Sequence, residues 1–201
     1  MRMHPRLSAR RARPRDERGA VAVLMVSSVV VLVLIAAFAV DLGMQRVARR
    51  DMQTLADSVA LDVGRLVNGR TTEKIKAGQT TPFMLRPLAD TLNQSVARNL
   101  PSTIGSKPSD CATSGGTVST VGNACVRVFL VALDDSGTYP LSANGLPQEQ
   151  ADGLAPTGVV VVTRTTVGFA FGGITGASSG GAERVAVAGT QARACFKMGS
   201  F

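Results

Sequence analysis

Residues 20–40 read AVAVLMVSSVVVLVLIAAFAV, and residues 41–67 continue DLGMQRVARRDMQTLADSVALDVGRLV. The first stretch is 21 residues long; Ser27 and Ser28 are its polar members, and the first charge after it is Asp41. A helix rises about 1.5 Å per residue, so this run spans roughly 30 Å, the thickness of a bilayer's hydrocarbon core. Val is a slightly poor helix former in water, but in lipid the hydrophobicity of the side chain outweighs that preference. An uninterrupted run of this length is also hard to bury inside a small domain. The stretch therefore predicts a transmembrane helix over residues 20–40.

Beyond it, Met44, Ala48, Met52, Leu55, Val59, Val63 and Leu66 recur at steps of 4, 4, 3, 4, 4 and 3. That spacing draws one apolar stripe along a helix, with Arg46, Arg49, Arg50, Gln53 and Asp57 lying off it. No Pro and no capping residue interrupts the chain between Val40 and Met44. The two stretches read as one helix from about Ala20 to Val67, with Asn68-Gly69 as its stop.

The formal net charge of the chain is +8. Most of it sits in residues 1–18, where seven Arg face two acidic residues, whereas residues 77–201 are nearly balanced at +1. A basic tail beside an apolar run is a topology signal, so nucleic acid is not an expected partner. The excess of Arg before the run predicts a cytoplasmic tail over 1–19 and an extracytoplasmic location for residues 41–201, with the bilayer of the inner membrane as the first partner. A competing reading is a cleaved leader, because Ala37-Phe38-Ala39 has the small-x-small form of a processing site. The run is longer than the ~7–15 apolar residues of a leader core, which favours a permanent anchor.

Arg18-Gly19-Ala20-Val21-Ala22-Val23, the apolar run, and Val40-Asp41-Leu42-Gly43 together resemble the N-terminal segment of TadG-like proteins of the Flp (Tad) pilus assembly systems. Arg49-Arg50-Asp51-Met52-Gln53-Thr54-Leu55-Ala56-Asp57-Ser58 is similar to the helix that follows the membrane segment in that family. Arg18, Gly19, Asp41, Gly43, Gln53, Ala56 and Asp57 carry the resemblance, which covers residues 18–66. It implies a membrane-anchored pilus or secretion component, with other apparatus proteins as partners and self-association through the N-terminal helix. The related TadE-like pseudopilins carry a Glu five residues after the Gly at which they are cleaved. Leu24 holds that position here, which argues against processing at Gly19.

Residues 68–201 read as a small α+β domain with an antiparallel sheet. After a linker at Gly69–Thr80, Thr81-Pro82 reads as a helix start. Leu85, Leu88, Leu92 and Val96 mark one face of a helix ending near Asn99. Val- and Thr-rich stretches predict strands at Cys125–Leu133, Gly158–Gly168 and Glu183–Phe196, with a short one at Thr117–Val121. The Gly168–Gly181 stretch reads as a flexible connection closing the last hairpin. In an oxidising compartment Cys111 and Cys125 can close a loop of feasible length; Cys125–Cys195 is an equally legal pairing.

Reactive chemistry finds little footing. His4, in the basic tail, is the single histidine, which excludes a His-based triad or His zinc site in the domain. No catalytic, cofactor-binding or metal-ligating set is expected. Val128-Phe129-Leu130-Val131-Ala132-Leu133 followed by Asp134-Asp135-Ser136-Gly137-Thr138 is similar to the start of a von Willebrand A metal site. The 63 residues that follow, 139–201, lack the helices such a domain requires, so a polar turn after a strand is the better account. The sequence thus predicts a non-enzymatic membrane component of a pilus or secretion apparatus. The runner-up is a secreted or surface-anchored adhesion module released from its leader.

Overall fold

The computed structural model describes residues 17–79, 85–111, 115–174 and 176–190. Helix α1 runs unbroken over Glu17–Gly64. Two further residues continue as a tight turn, in which the amides of Leu66 and Val67 donate to the carbonyls of Val63 and Gly64 at 2.9 and 3.1 Å. The helix therefore ends three residues before the expected Val67, although Leu66 and Val67 are still buried. Two short helices follow, α2 (Thr72–Ala77) and α3 (Leu88–Asn99). The strands are β1 (Thr117–Val118), β2 (Cys125–Val131), β3 (Gly158–Gly168) and β4 (Ser179–Gly189). They form one antiparallel sheet in the order β1-β2-β3-β4, a meander. The architecture is α+β.

Helix α2 lies where a bare linker was expected. Ile75 is its one large apolar side chain, too few to set up a periodicity, yet that side chain is buried. Glu73 in the first turn and Lys74 and Lys76 in the last turn complement the helix dipole, and Gly78 at φ 77° ends it. The start of α3 also differs from expectation. Thr81 and Pro82 lie outside the described residues, and Leu85 is not helical; its backbone exchanges hydrogen bonds with Gln79 at 2.8 Å. Pro87 instead precedes the first turn, where its fixed φ is tolerated and its missing N–H costs nothing.

The sheet has two different faces, fixed by register. Val126, Val128 and Leu130 of β2 stand beside Val159, Val161 and Thr163 of β3, and beyond them Ala182, Ala186 and Ala188 of β4. This face carries α1 and α3. The small residues of β4 let α1 approach closely: a Cβ added at Gly64 would stand 3.3 Å from the Cβ of Ala188. From α1 the stripe residues Met52, Leu55, Val59 and Val63 are fully buried, whereas Met44 at its start is 37% exposed. The Thr163 hydroxyl donates to the Met52 carbonyl at 3.0 Å, and the Ser95 hydroxyl of α3 donates to Asp62 of α1 at 2.6 Å. These two bonds pin helix to sheet and helix to helix. Phe129, Val131, Val160 and Val162 form a second, smaller cluster on the opposite face.

β3 matches its expected bounds, and β2 ends two residues early. β4 begins at Ser179, four residues before the expected Glu183; its expected C-terminal part, 191–196, lies outside the described residues. β1 is shorter than expected: the Ser119 amide still donates to the Val126 carbonyl at 2.9 Å, but the next amide, of Thr120, turns to the Asn93 side chain at 3.0 Å. β3 and β4 pair over eleven residues each, about 34 Å of ribbon at strand spacing. From Asp41 to Gly64 helix α1 rises by a similar length, about 35 Å. Ribbon and helix therefore run side by side, and the turn between β3 and β4 comes to rest beside Asp41.

Candidate functional site

The apolar run and the point where it meets the domain form the most distinctive surface of the chain. From Val21 to Val33 the large side chains of α1 stand exposed, Val23 at 71% and Leu24 at 67%. Ser27 and Ser28 satisfy their hydroxyls on the Leu24 carbonyl, so they add no open polar group to this surface. Among the described residues α1 is the one helix long and apolar enough to cross a membrane.

The run meets the domain at its last turn. Ala37 and Asp41 are buried there, on one face of the helix. Asp41 accepts hydrogen bonds from the backbone amides of Ala170 at 2.8 Å and Phe171 at 3.1 Å. The connection between β3 and β4, read from sequence as flexible, is a closed turn. The Phe169 amide donates to the Ser178 carbonyl, and the Ala177 amide to the Gly172 carbonyl. A short 3-10 segment, Gly172–Ile174, lies within it. Gly172 has no room for a side chain, because a Cβ would come within 1.8 Å of the Ala177 oxygen. Leu34, Ala37 and Phe38 on the helix face Phe169, Phe171 and Ala177 across a groove of about 380 Å³.

Replacing Asp41 by Ala leaves two half-buried amides without their acceptor. The loss is about 1–3 kcal/mol of local opening energy, the penalty of unsatisfied donors. Amide exchange at Ala170 and Phe171 is expected to accelerate in Asp41→Ala and to stay near the parent rate in Asp41→Asn, which keeps a carbonyl acceptor. Equal rates in all three proteins would show that the carboxylate does not hold the turn.

The other residues singled out from sequence play structural parts. Arg18 and Gly19 lie in the first turn of α1, and Gly43 has open space around it. Ala56 is fully buried in the helix–sheet core, while the Gln53 amide donates to Asp57 at 2.9 Å on the surface. Cys111 and Cys125 form a disulfide with Cα atoms 5.5 Å apart, tying the loop after α3 to the start of β2. Cys195 lies outside the described residues.

The Asp134 turn is closed on itself. Its carboxylate accepts from the Ser136 amide and hydroxyl and from the Thr138 amide, at 3.0, 2.7 and 2.7 Å. Among the described residues no cluster of His, Cys, Asp or Glu is arranged to hold a metal ion. The Ser136 hydroxyl and then the Thr138 amide hold the Asp134 carboxyl below the usual carboxylate value. A carboxyl depressed in the folded state stabilises it above the unfolded value, and that contribution is lost as pH falls through the folded one. In an NMR titration the Ser136 and Thr138 amides are expected to shift at a lower pH than in an unstructured peptide of the same sequence. A midpoint at or above the peptide's would contradict the turn geometry.

Two features of this site escaped sequence reading: Asp41 as the acceptor for a turn 129 residues away, and the pair Phe169 and Phe171 as its apolar wall. Two Phe in a Gly-rich connection, in a chain with only seven, were the available signal.

No curated protein and no solved structure matches the chain. One family model does match, over residues 19–71, a segment made of α1 from Gly19 onward, the turn that ends it and the loop that leads up to α2. That model is Tad, the TadE/G-like family of Flp pilus assembly, and by this match the helix-bearing quarter of the chain is similar to components of Flp pilus assembly.

Proposed function

We propose that the chain is a non-enzymatic, single-pass membrane component of a Flp (Tad) pilus assembly or related secretion apparatus. Residues 20–40 are its permanent anchor, the basic tail is cytoplasmic, and the α+β domain stands outside the inner membrane. The observation that carries this reading is the exposed apolar surface of α1 from Val21 to Val33, which leads without a break into the part of the helix packed on the domain. Water strongly disfavours a surface of this kind, whereas a bilayer of matching thickness accommodates it. The family match supplies the pilus context. The Cys111–Cys125 disulfide suits an oxidising compartment. Partners are other apparatus proteins, and the exposed Val- and Leu-rich helix surface is available for self-association within the bilayer.

A secreted adhesion module is the second reading, favoured by Ala37-Phe38-Ala39. Cleavage after Ala39 would remove Leu34, Ala37 and Phe38 and leave one wall of the groove. The two readings part in one experiment on protein purified from its native membrane. The anchor reading expects an intact mass retaining residues 20–40 and a protein that resists alkaline carbonate extraction. A mature N-terminus at Val40, with the protein in the soluble fraction, would replace it with the second reading.

A further inference from the structure

We infer that the turn between β3 and β4 is a second membrane contact, a wedge carrying Phe169 and Phe171 that enters the lipid headgroup region beside the anchor. The inference rests on the anchor reading of residues 20–40.

Depth is the first argument. The turn lies against Leu34, Ala37, Phe38 and Asp41. Leu34 lies six residues before Val40, the end of the apolar run, about 9 Å along the helix axis. If the run fills the hydrocarbon core, a turn packed on its last two helical turns cannot stay in bulk water. The paired lengths of the β3–β4 ribbon and of α1 beyond Asp41 fix this placement, because eleven paired residues deliver the turn to that level.

Composition is the second argument. From Thr165 to Ala182 the chain carries no charged residue. Phe171 is 42% exposed, and Phe169 is half-buried. Their rings face the same groove as the anchor's own side chains, so the groove opens directly onto lipid.

Backbone satisfaction is the third. Irregular backbone near hydrocarbon is tolerated only where its polar groups find partners. Here the amides of Ala170 and Phe171 are taken by Asp41, and those of Phe169 and Ala177 by carbonyls of the turn itself. Asp41 is thus the device that makes the wedge compatible with lipid. The occupant of the groove is acyl chain from the leaflet into which the turn dips.

The chain has no Trp, so single Trp substitutions report on one position each. The full chain is reconstituted in phosphatidylethanolamine–phosphatidylglycerol vesicles made without bromine, with lipids brominated on the acyl chains near the headgroup, or with lipids brominated near the chain ends, the last set matching the depth of Val30. Phe171→Trp and Ala170→Trp probe the turn; both side chains are exposed, so neither change is expected to disturb the fold. Val30→Trp probes the anchor. Leu154→Trp, whose carbonyl meets Thr72 beyond the far end of α1, is the aqueous reference.

The expected result is blue-shifted emission and a loss of intensity on bromination for the two turn positions and for Val30→Trp, with Leu154→Trp unchanged. Turn positions that emit as in water, or that are blue-shifted but unquenched because protein or a second copy covers the groove, overturn the inference while Val30→Trp stays quenched. An unquenched Val30→Trp overturns the anchor reading and this inference together.

Discussion

Leu55→Ala is expected to lower the stability of the domain by about 3 kcal/mol, within the range found when a large aliphatic side chain is deleted from a packed core. Leu55 is fully buried on α1, amid the cluster that joins this helix to α3, β2, β3 and β4. The loss has two parts: the apolar surface no longer withdrawn from water, and the cavity left where helix and sheet cannot close up. Collapse is limited here. The Thr163–Met52 bond and the paired β3–β4 ribbon hold the surrounding backbone in place. Leu61→Ala on the same helix supplies the comparison, since its side chain is 65% exposed. Urea titration of the full chain in dodecyl maltoside micelles reads both variants. If the two midpoints shift equally, the helix is not packed on the sheet as described.

Removing the disulfide by replacing Cys111 and Cys125 with Ser is expected to cost a similar amount. Closing a loop with a sequence separation of 14 removes about 3 kcal/mol of chain entropy from the unfolded state. The bond also has a local task. β1 is only two residues long and β2 is buried on both faces, so the segment between α3 and β2 has few other ties. Those ties include the bonds of Ser119 and Thr120 to Asn93, the hydrogen bond of Thr103 to Asp51, the ion pair of Arg164 with Asp110 and the backbone bridge of Ser106 with Thr166. The expected outcome in the Ser variant is a lower urea midpoint and faster amide exchange around Thr117–Val118. Reducing agent added to the parent protein should reproduce both effects. An unchanged midpoint under reduction would show that the pairing is absent or that the loop is held by other means.

The long helix was legible because two independent patterns agreed. An apolar run of membrane length and a stripe at helical spacing joined without a breaker, and the structure joins them as α1. β3 was legible to the residue, because a run of Val and Thr bounded by Gly leaves little choice. β4 was less so. Its core face is Ala182, Ala186 and Ala188, and small residues give no hydrophobic alternation, although they are what lets α1 lie close. The start of β4 was missed for the same reason: Ser179-Gly180-Gly181 looks like a turn and becomes strand through pairing with Gly168, Val167 and Thr166. α2 rests on one buried Ile75 and on charges placed for its dipole, signals too sparse to outweigh a polar context.

At the site, the sequence marked the apolar surface and Asp41, but not their relation to the β3–β4 turn. Asp41 reads locally as the first charge after a membrane run. Its role as acceptor for Ala170 and Phe171 depends on a register between helix and ribbon that arises only from packing. Gln53 and Asp57, which carry the family resemblance equally, meet each other on the surface and take no part in the core. Shared motif residues therefore divide here into packing, capping and surface roles.

If residues 20–40 cross the bilayer, the α+β domain lies on the far side of it from the basic tail. A pair of full-length fusions tests it in cells, with alkaline phosphatase or green fluorescent protein joined at the C-terminus. An active phosphatase and a dark fluorescent protein, both in the membrane fraction, are expected. Bright fluorescence with an inactive phosphatase would put the domain in the cytosol and contradict it.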